Sequence, residues 1–347
     1  MKFCAFIDLN KRKAICVDGI YAFGLNLSHW KGANIYREWQ ADTSAEIALN
    51  FLEKSNKINE FEWVTANHFD IDGFLGVWAI LNPELALKHK QILKAAAEIG
   101  DFRTYQNNEV HDFALKLVCW INQKEKELFY RPFGYLETEE DEKIACVRKF
   151  DYFLPQFEKV LLNIHHYEKD WETEYHQVKN HLEQLKDANK SLFPEIGLAI
   201  IETENPIHYY ALFSKSIGCD IVLSMYKDNR YELEYKYTTW VDISSRKTLP
   251  RLKLNKLLKT LNELETSGLN WFCDNIYDTG PILRLEDKKI GKSDRFANPF
   301  EREIFSSSIP KNQFKNLIID YLSLKYKNIE PGNFLTWKKV EELNQVF

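Results

Sequence analysis

The chain has 347 residues, a formal net charge of −5 and 28% charged residues. This ordinary globular composition excludes an intrinsically disordered chain, and the acidic balance gives no electrostatic basis for binding duplex nucleic acid or an anionic membrane. No apolar run approaches the roughly 20 residues that cross a bilayer, and the N-terminus lacks the cationic segment of a secretory signal. We therefore expect a cytoplasmic protein, with two domains as the default at this length.

The first predicted elements are two short strands, residues 3–9 and 14–17, joined by a polar turn. This pattern is typical of a hairpin or a sheet edge. Thr43 and Glu46 then stand at capping-box spacing ahead of an apolar run, which predicts a helix ending near Glu53.

A strand is predicted at residues 62–66, followed by an acidic turn and a helix over 74–81. Another helix is predicted from Glu84 to Ile99, closed by Gly100, and a further buried helix over 110–123. Repeated strand-to-helix crossovers favour a parallel sheet.

Apolar positions recur at three- and four-residue steps from Phe157 to about Lys190, which predicts one long amphipathic helix. Beyond it the pattern changes to strands, and residues 227–230 are typical of a hairpin turn. We predict an α/β fold with three parts: an α/β domain with a parallel sheet at 1–155, a long connecting helix at 156–190, and a smaller α+β domain at 191–347.

The acidic turn after the strand predicted at residues 62–66 carries His68-x-Asp70-x-Asp72-Gly73. It places two carboxylates and an imidazole at the carboxyl end of a sheet, where open α/β folds bind ligands. Such a set suits a hard cation, Mn²⁺ or Mg²⁺. The alternative is that Asp70 or Asp72 only caps the following helix, which requires no metal.

The segment from Asn67 to Gly76 resembles the first motif of the DHH phosphoesterase superfamily, where an Asp-x-Asp-Gly turn leads into a helix. The resemblance covers about residues 62–103. It implies paired Mn²⁺ ions that hydrolyse phosphoesters or phosphoanhydrides, with His68, Asp70 and Asp72 as ligands. Asp101 resembles the later lone acidic ligand of that superfamily.

The Asp-His-His motif that names the superfamily is missing, since His165-His166 follows Ile164. The whole chain, with Asp18-Gly19 and the 278–281 segment, is similar to an uncharacterised bacterial family with a related first motif. Activity is therefore a hypothesis inferred from the first motif.

Further candidates lie outside the motif. His111, beside Asp112 at a helix start, is predicted to complete the metal ligand set, although Asp112 also fits a simple helix-start acid. Asp18 and His29 flank a loop that follows a predicted strand and are candidates to approach the same sheet edge. A different metal-dependent hydrolase with His29 and His111 as ligands is an alternative. In the second domain, Arg251 and Arg284 are predicted to contact a substrate phosphate.

The leading hypothesis is a metal-dependent phosphoesterase acting on a nucleotide or small phosphorylated ligand. His68, Asp70 and Asp72 are its predicted catalytic residues, and with Asp101 and His111 they form the predicted metal ligands. The runner-up is a non-catalytic ligand-binding or regulatory protein with a phosphoesterase-like fold, which the missing Asp-His-His motif would explain.

Overall fold

The computed structural model describes residues 1–129, 139–186, 188–287 and 297–345. The chain divides into two compact units, Met1–Gln177 and Val178–Phe347. The predicted α/β class is confirmed, because the first unit contains a parallel sheet with helices and the second a mixed sheet. Within the described ranges, no helix combines the length and apolarity needed to cross a membrane.

The first unit is built on a four-stranded sheet in which every neighbouring pair is parallel. Its strands are β1 (Lys2–Phe3), β2 (Ala14–Val17), β3 (Gly24–Leu27) and β4 (Trp63–Thr65), in the spatial order β1-β4-β2-β3. The helices that follow are α1 (Ser44–Lys54), α2 (Ile71–Leu81), α3 (Pro83–Lys88), α4 (Lys90–Phe102), α5 (Glu109–Leu128), α6 (Glu139–Leu162) and α7 (Glu168–Gln184), whose last residues belong to the second unit. The Thr43 hydroxyl caps α1 by accepting from the Glu46 N–H at 3.2 Å, as its capping-box spacing predicts.

Of the two alternatives predicted from the first two strands, the hairpin is wrong, whereas β1 does lie at an edge of the sheet. β4 lies between β1 and β2 and runs parallel to both, and residues Phe6–Asp8 form a 3-10 turn instead of continuing β1. The polar turn does reverse the chain locally, with Asn10 and Lys11 at positive φ. A turn signal does not specify which strands pair, however, and β4 arrives from a distant part of the sequence.

Gly100 does not end its helix as predicted. A Cβ there would lie 2.6 Å from the Cβ of Ile71, so glycine at this position permits close packing of α4 on α2. The helix continues to Phe102 and ends at Arg103, which has a left-handed φ of 54°. The predicted helix over 84–99 is also divided, with α3 ending before His89 and α4 beginning after it.

The single helix predicted over 157–190 is replaced by α6, a 3-10 turn at Ile164–Tyr167, and α7. At this break the Ile164 carbonyl accepts a hydrogen bond from the Trp171 indole N–H at 2.9 Å. His165 and His166 therefore lie in the turn. The apolar periodicity is similar on both sides, which is why the pattern alone indicated one helix.

The second unit contains a six-stranded sheet of order β5-β6-β7-β8-β10-β9, in which only the β6–β7 pair is parallel. The strands are β5 (Asn189–Phe193), β6 (Leu198–Glu202), β7 (Ile221–Tyr226), β8 (Arg230–Tyr235), β9 (Asn270–Cys273) and β10 (Ile282–Glu286). The described helices after residue 185 are α8 (Tyr209–Ser214), α9 (Asn255–Leu264), α10 (Lys311–Tyr326) and α11 (Trp337–Gln345). The predicted β7–β8 hairpin is confirmed, with Asp228 and Asn229 at positive φ.

Candidate metal centre

Polar residues follow three neighbouring strands at the same edge of the parallel sheet. Asp18 follows β2, His29 comes two residues after β3, and His68 comes three residues after β4. Parallel strands bring their carboxyl ends to one edge, and β2 is flanked by β3 and β4. The strand order therefore places Asp18 between the two histidines.

The two carboxylate oxygens of Asp18 face different histidines. Oδ1 lies 3.3 Å from His29 Nε2, and Oδ2 lies 3.2 Å from His68 Nε2. Asp70 Oδ2 is 3.1 Å from His68 Nε2, and Asp72 Oδ2 is 3.7 Å from His29 Nε2. Two groups result, Asp18–His68–Asp70 and Asp18–His29–Asp72, and within each the candidate ligand atoms lie within 4.8 Å of one another.

Asp70 belongs to its group and also caps a helix. Its Oδ1 accepts a hydrogen bond from the Gly73 N–H at 2.8 Å, as the N-cap of α2. Its Oδ2 faces His68 instead. Asp70 therefore caps the helix with one oxygen, and its other oxygen remains in the candidate site.

Asp72 is held by the first turn of a different helix. Its two oxygens accept the backbone N–H groups of Ser44 and Ala45, at 2.7 and 2.8 Å, where α1 begins. The Ser44 hydroxyl donates to Asp18 Oδ1 at 2.7 Å. The N-terminus of α1 therefore orients two carboxylates, and its partial positive charge favours them.

Asp18 has a left-handed backbone, with φ of 48°. Such a conformation is uncommon for a residue with a side chain, and it persists only where surrounding contacts impose it. Here the Asp18 N–H donates to the Leu27 carbonyl of β3 at 3.1 Å. The strained residue is the one that both groups share.

Both histidines direct the same ring nitrogen toward the carboxylates. His29 Nδ1 lies 2.6 Å from the Asp42 carbonyl oxygen, which can only accept, so Nδ1 carries a proton. His68 Nδ1 lies 2.7 Å from Asn67 Oδ1. An imidazole that donates from Nδ1 to an oxygen presents Nε2 as its coordinating nitrogen, an arrangement common in metal sites.

The cluster is enclosed on one side and open on the other. The side chains of Asp18, His29 and Asp72 are fully buried, and that of Asp101 is 4% exposed. Those of His68 and Asp70 are 37% and 34% exposed. A molecule from solvent therefore reaches the cluster along the edge formed by His68 and Asp70.

Two of the crowded carboxylates, Asp72 and Asp101, have a raised pKa. Burial and the charge of Asp18 raise the pKa of Asp72 to about 7, and burial with the neighbouring aspartates raises the pKa of Asp101 well above its usual value. Burial lowers the pKa of His29, but Asp18 and Asp72 outweigh it and raise the value to about 9. Burial is likewise outweighed at Asp18, whose pKa is lowered by both histidines. In the metal-free protein, protons on these groups compensate the negative charge.

Asp101 lies beside the second group, with Oδ2 3.3 Å from His29 Nε2. His111 lies elsewhere: its Nε2 is 3.8 Å from Glu98 Oε2, and His111 belongs to neither candidate group. Asp112 bonds to the Tyr175 hydroxyl. The structure therefore brings His68, Asp70, Asp72 and Asp101 together but not His111.

Asp18 is not among the metal ligands predicted from the sequence, and His29 is only an alternative ligand. The available signal was that each follows a short apolar strand, as the motif does. Ser44, which orients Asp18, gave no signal because a serine at the start of a helix is common.

The predicted substrate contacts Arg251 and Arg284 are buried and already bonded within the second unit. The Arg251 guanidinium donates to the Thr239 hydroxyl and to the carbonyls of Lys236, Ile276, Asp278 and Thr279. These bonds use all five of its N–H donors. Arg284 pairs with Asp274 and Glu286. These arginines therefore do not form the predicted phosphate clamp.

Residues 1–333 match a family described as a family of unknown function (DUF6687). The chain belongs to this family. The match includes every residue of the cluster and most of the second unit. A comparison with curated proteins finds no match. Neither result relates the family to the DHH superfamily, so that resemblance rests on the motif residues alone.

Replacing Asn67 with Ala tests whether the orientation of His68 matters for metal binding. Loss of the Asn67–Nδ1 bond frees the ring to turn, and removal of such a partner typically lowers metal affinity by about 10- to 100-fold. Mn²⁺ titration followed by electron paramagnetic resonance measures the change. Asn163→Ala, an exposed asparagine of the same unit, is the control. Equal affinities in both variants would show that Asn67 does not position His68.

Proposed function

We propose that this chain is a divalent-metal-dependent phosphoesterase that acts on a nucleotide or a small phosphorylated substrate. The observation that carries the proposal is the sharing of Asp18 by two adjacent groups, each with one histidine and a further carboxylate. Hydrolases with paired ions use such an arrangement to hold both at one reaction centre. A purely structural ion pair requires only one partner for each histidine.

The donor set fits Mn²⁺ or Mg²⁺. Carboxylate oxygens are the ligands that these hard cations prefer, and imidazole suits Mn²⁺. Asp101 Oδ2 is buried and accepts no hydrogen bond within the described part of the chain, although it lies 3.3 Å from His29 Nε2. A buried carboxylate oxygen without a donor is costly, and a cation would remove that cost.

Asp18, His68 and Asp70 would hold one ion, and Asp18, His29 and Asp72 the other, with Asp101 beside the second. When bound, the ions supply activation of water and neutralisation of charge on the phosphoryl group. The Ser44 hydroxyl and the first turn of α1 keep the carboxylates oriented. The half-buried His68 and Asp70 would form the side from which a phosphate approaches.

Hydrolysis of model substrates tests the proposal. The Mn²⁺-loaded protein is incubated with bis(p-nitrophenyl) phosphate, p-nitrophenyl phosphate and pyrophosphate, and product is followed with and without EDTA. We expect turnover of at least one substrate, abolished by EDTA and restored by Mn²⁺. Metal-loaded protein that turns over none of these compounds would contradict the assignment.

A metal-stabilised, non-catalytic binding protein is the second candidate. The absence of the Asp-His-His motif and the complete burial of the Asp18–His29–Asp72 group favour it. The same experiment separates the two candidates. Tight binding of Mn²⁺ and saturable binding of these phosphate compounds, without turnover of any of them, would favour the binding protein.

Metal binding is expected to release protons at neutral pH. A ligand must be deprotonated to coordinate, whereas His29, with its pKa raised to about 9, is protonated at pH 7, and Asp72, with a pKa raised to about 7, is about half protonated. Affinity should therefore rise with pH between 6 and about 9, as fewer protons must be displaced. Calorimetric titration in two buffers of different ionisation enthalpy measures the release. Binding heats that are independent of the buffer would contradict this prediction.

A further inference from the structure

A cavity of about 300 Å³ lies in the first unit where β1 and β4 end. Phe3 and Phe6 form its wall on the β1 side, and Cys146 and Val147 form its wall on α6. Burial raises the pKa of the Cys146 thiol to about 12, so this group stays neutral. The volume is at the lower end of the range for small-molecule sites, about 300 to 1,000 Å³.

The cavity adjoins the open side of the metal centre. Asn67 lines it, and the same side chain bonds to His68 Nδ1 at 2.7 Å. Asn67 also packs against the backbone beside Asp18, since a Cβ on Gly19 would lie 2.9 Å from the Asn67 amide carbon. Asn67 is therefore the residue that links the cavity to the cluster.

The aromatic walls are held in place by neighbouring rings. Phe3 stacks on Phe150, with centroids 4.6 Å apart and planes inclined by 29°. Phe6 meets Tyr21 edge-to-face at 5.6 Å. Rigid aromatic walls bind flat apolar groups at a small cost in conformational entropy. Lys143, which also lines the cavity, adds a positive charge.

We infer that this cavity receives a flat apolar or aromatic group of the substrate, while the phosphate of the same molecule lies at the edge formed by His68 and Asp70. The inference rests on the proposed phosphoesterase function for the position of the phosphate. The substrate class is then a phosphate ester that carries a ring, either a nucleobase or another aromatic group.

Binding of non-hydrolysable probes to the Mn²⁺-loaded protein tests the inference without using activity. Phenylphosphonate should bind about tenfold more tightly than methylphosphonate, as burial of a ring predicts. Adenosine 5′-monophosphate is compared with ribose 5-phosphate in the same way. A preference in both pairs identifies a nucleobase as an acceptable ring, and a preference in the first pair alone identifies a smaller aromatic group. No preference in either pair, including no binding, overturns the inference.

Val147→Trp fills the cavity and should remove the preference, while Ile144→Trp, a 50%-exposed position on the same helix, should retain it. Phe6→Ala provides a second variant that removes a wall, and it should also reduce the preference. A preference unchanged in both cavity variants overturns the inference. Hydrolysis without a ring preference would refute the cavity assignment alone, and a ring preference without hydrolysis would refute the proposed activity alone.

Discussion

Asp18→Asn is expected to abolish the proposed phosphoester hydrolysis, with a loss on the order of 10³-fold or more. Asp18 is the residue that both candidate groups share, so its replacement removes a negatively charged ligand from each. Asparagine is the suitable replacement because it has the shape of aspartate and tolerates the left-handed φ of 48° better than most residues other than glycine. The backbone at the end of β2 should therefore be preserved. The measurement is kcat with bis(p-nitrophenyl) phosphate at saturating Mn²⁺.

Two comparisons make the result specific. Asp70→Asn removes a ligand from only one group, and asparagine still serves as an N-cap for α2, so this variant should retain the second group. Asp8→Asn changes an exposed acid of the same unit and should match wild type. If Asp18→Asn had wild-type activity, Asp18 would have no role in the reaction.

Metal is expected to stabilise the protein strongly against unfolding. Ligand at 100 times its Kd raises the free energy of unfolding by about 2.7 kcal/mol for each site. Saturating Mn²⁺ should therefore shift denaturation to higher denaturant concentration, and EDTA should reverse the shift. Urea denaturation followed by circular dichroism measures it. An unfolding curve unaffected by Mn²⁺ would contradict metal binding by the folded state.

Asp101→Asn should separate stability from metal binding. Burial and the neighbouring aspartates raise the pKa of Asp101, so its ionised form is disfavoured in the folded protein. Folding stability is therefore lost as the pH rises above the pKa that Asp101 has in the unfolded chain. At neutral pH the Asn variant should be more stable than wild type without metal, but should gain less from Mn²⁺. Glu98→Gln is the control, since Glu98 lies on the same helix and burial also raises its pKa. That variant should keep the full metal-dependent gain.

Local sequence patterns predicted the motif residues, the cap of α1 and the β7–β8 hairpin, because each depends on residues close together in the chain. The sharing of Asp18 could not be predicted in this way. It depends on the strand order β1-β4-β2-β3, which is set by packing between distant segments. The same non-local pairing explains why the predicted N-terminal hairpin is wrong.

Two further differences have a physical cause in packing. A glycine such as Gly100 is typical of a helix end. Here it instead permits the close approach of α4 to Ile71, and the helix continues through Asp101. Arg251 beside a glycine-containing turn is compatible with a phosphate contact, yet all five of its donors bond to the protein. Spacing alone does not distinguish a donor that is free from one that is used.

The metal content of wild-type protein and of Asp18→Asn, measured by elemental analysis after equilibration with Mn²⁺ and removal of free ions, tests the shared centre most directly. The arrangement of two groups around Asp18 predicts about two ions for each wild-type chain and a loss of both in the variant. Equal metal content in the two proteins, or no metal in either, would contradict it, and the cluster would then be a set of structural ion pairs.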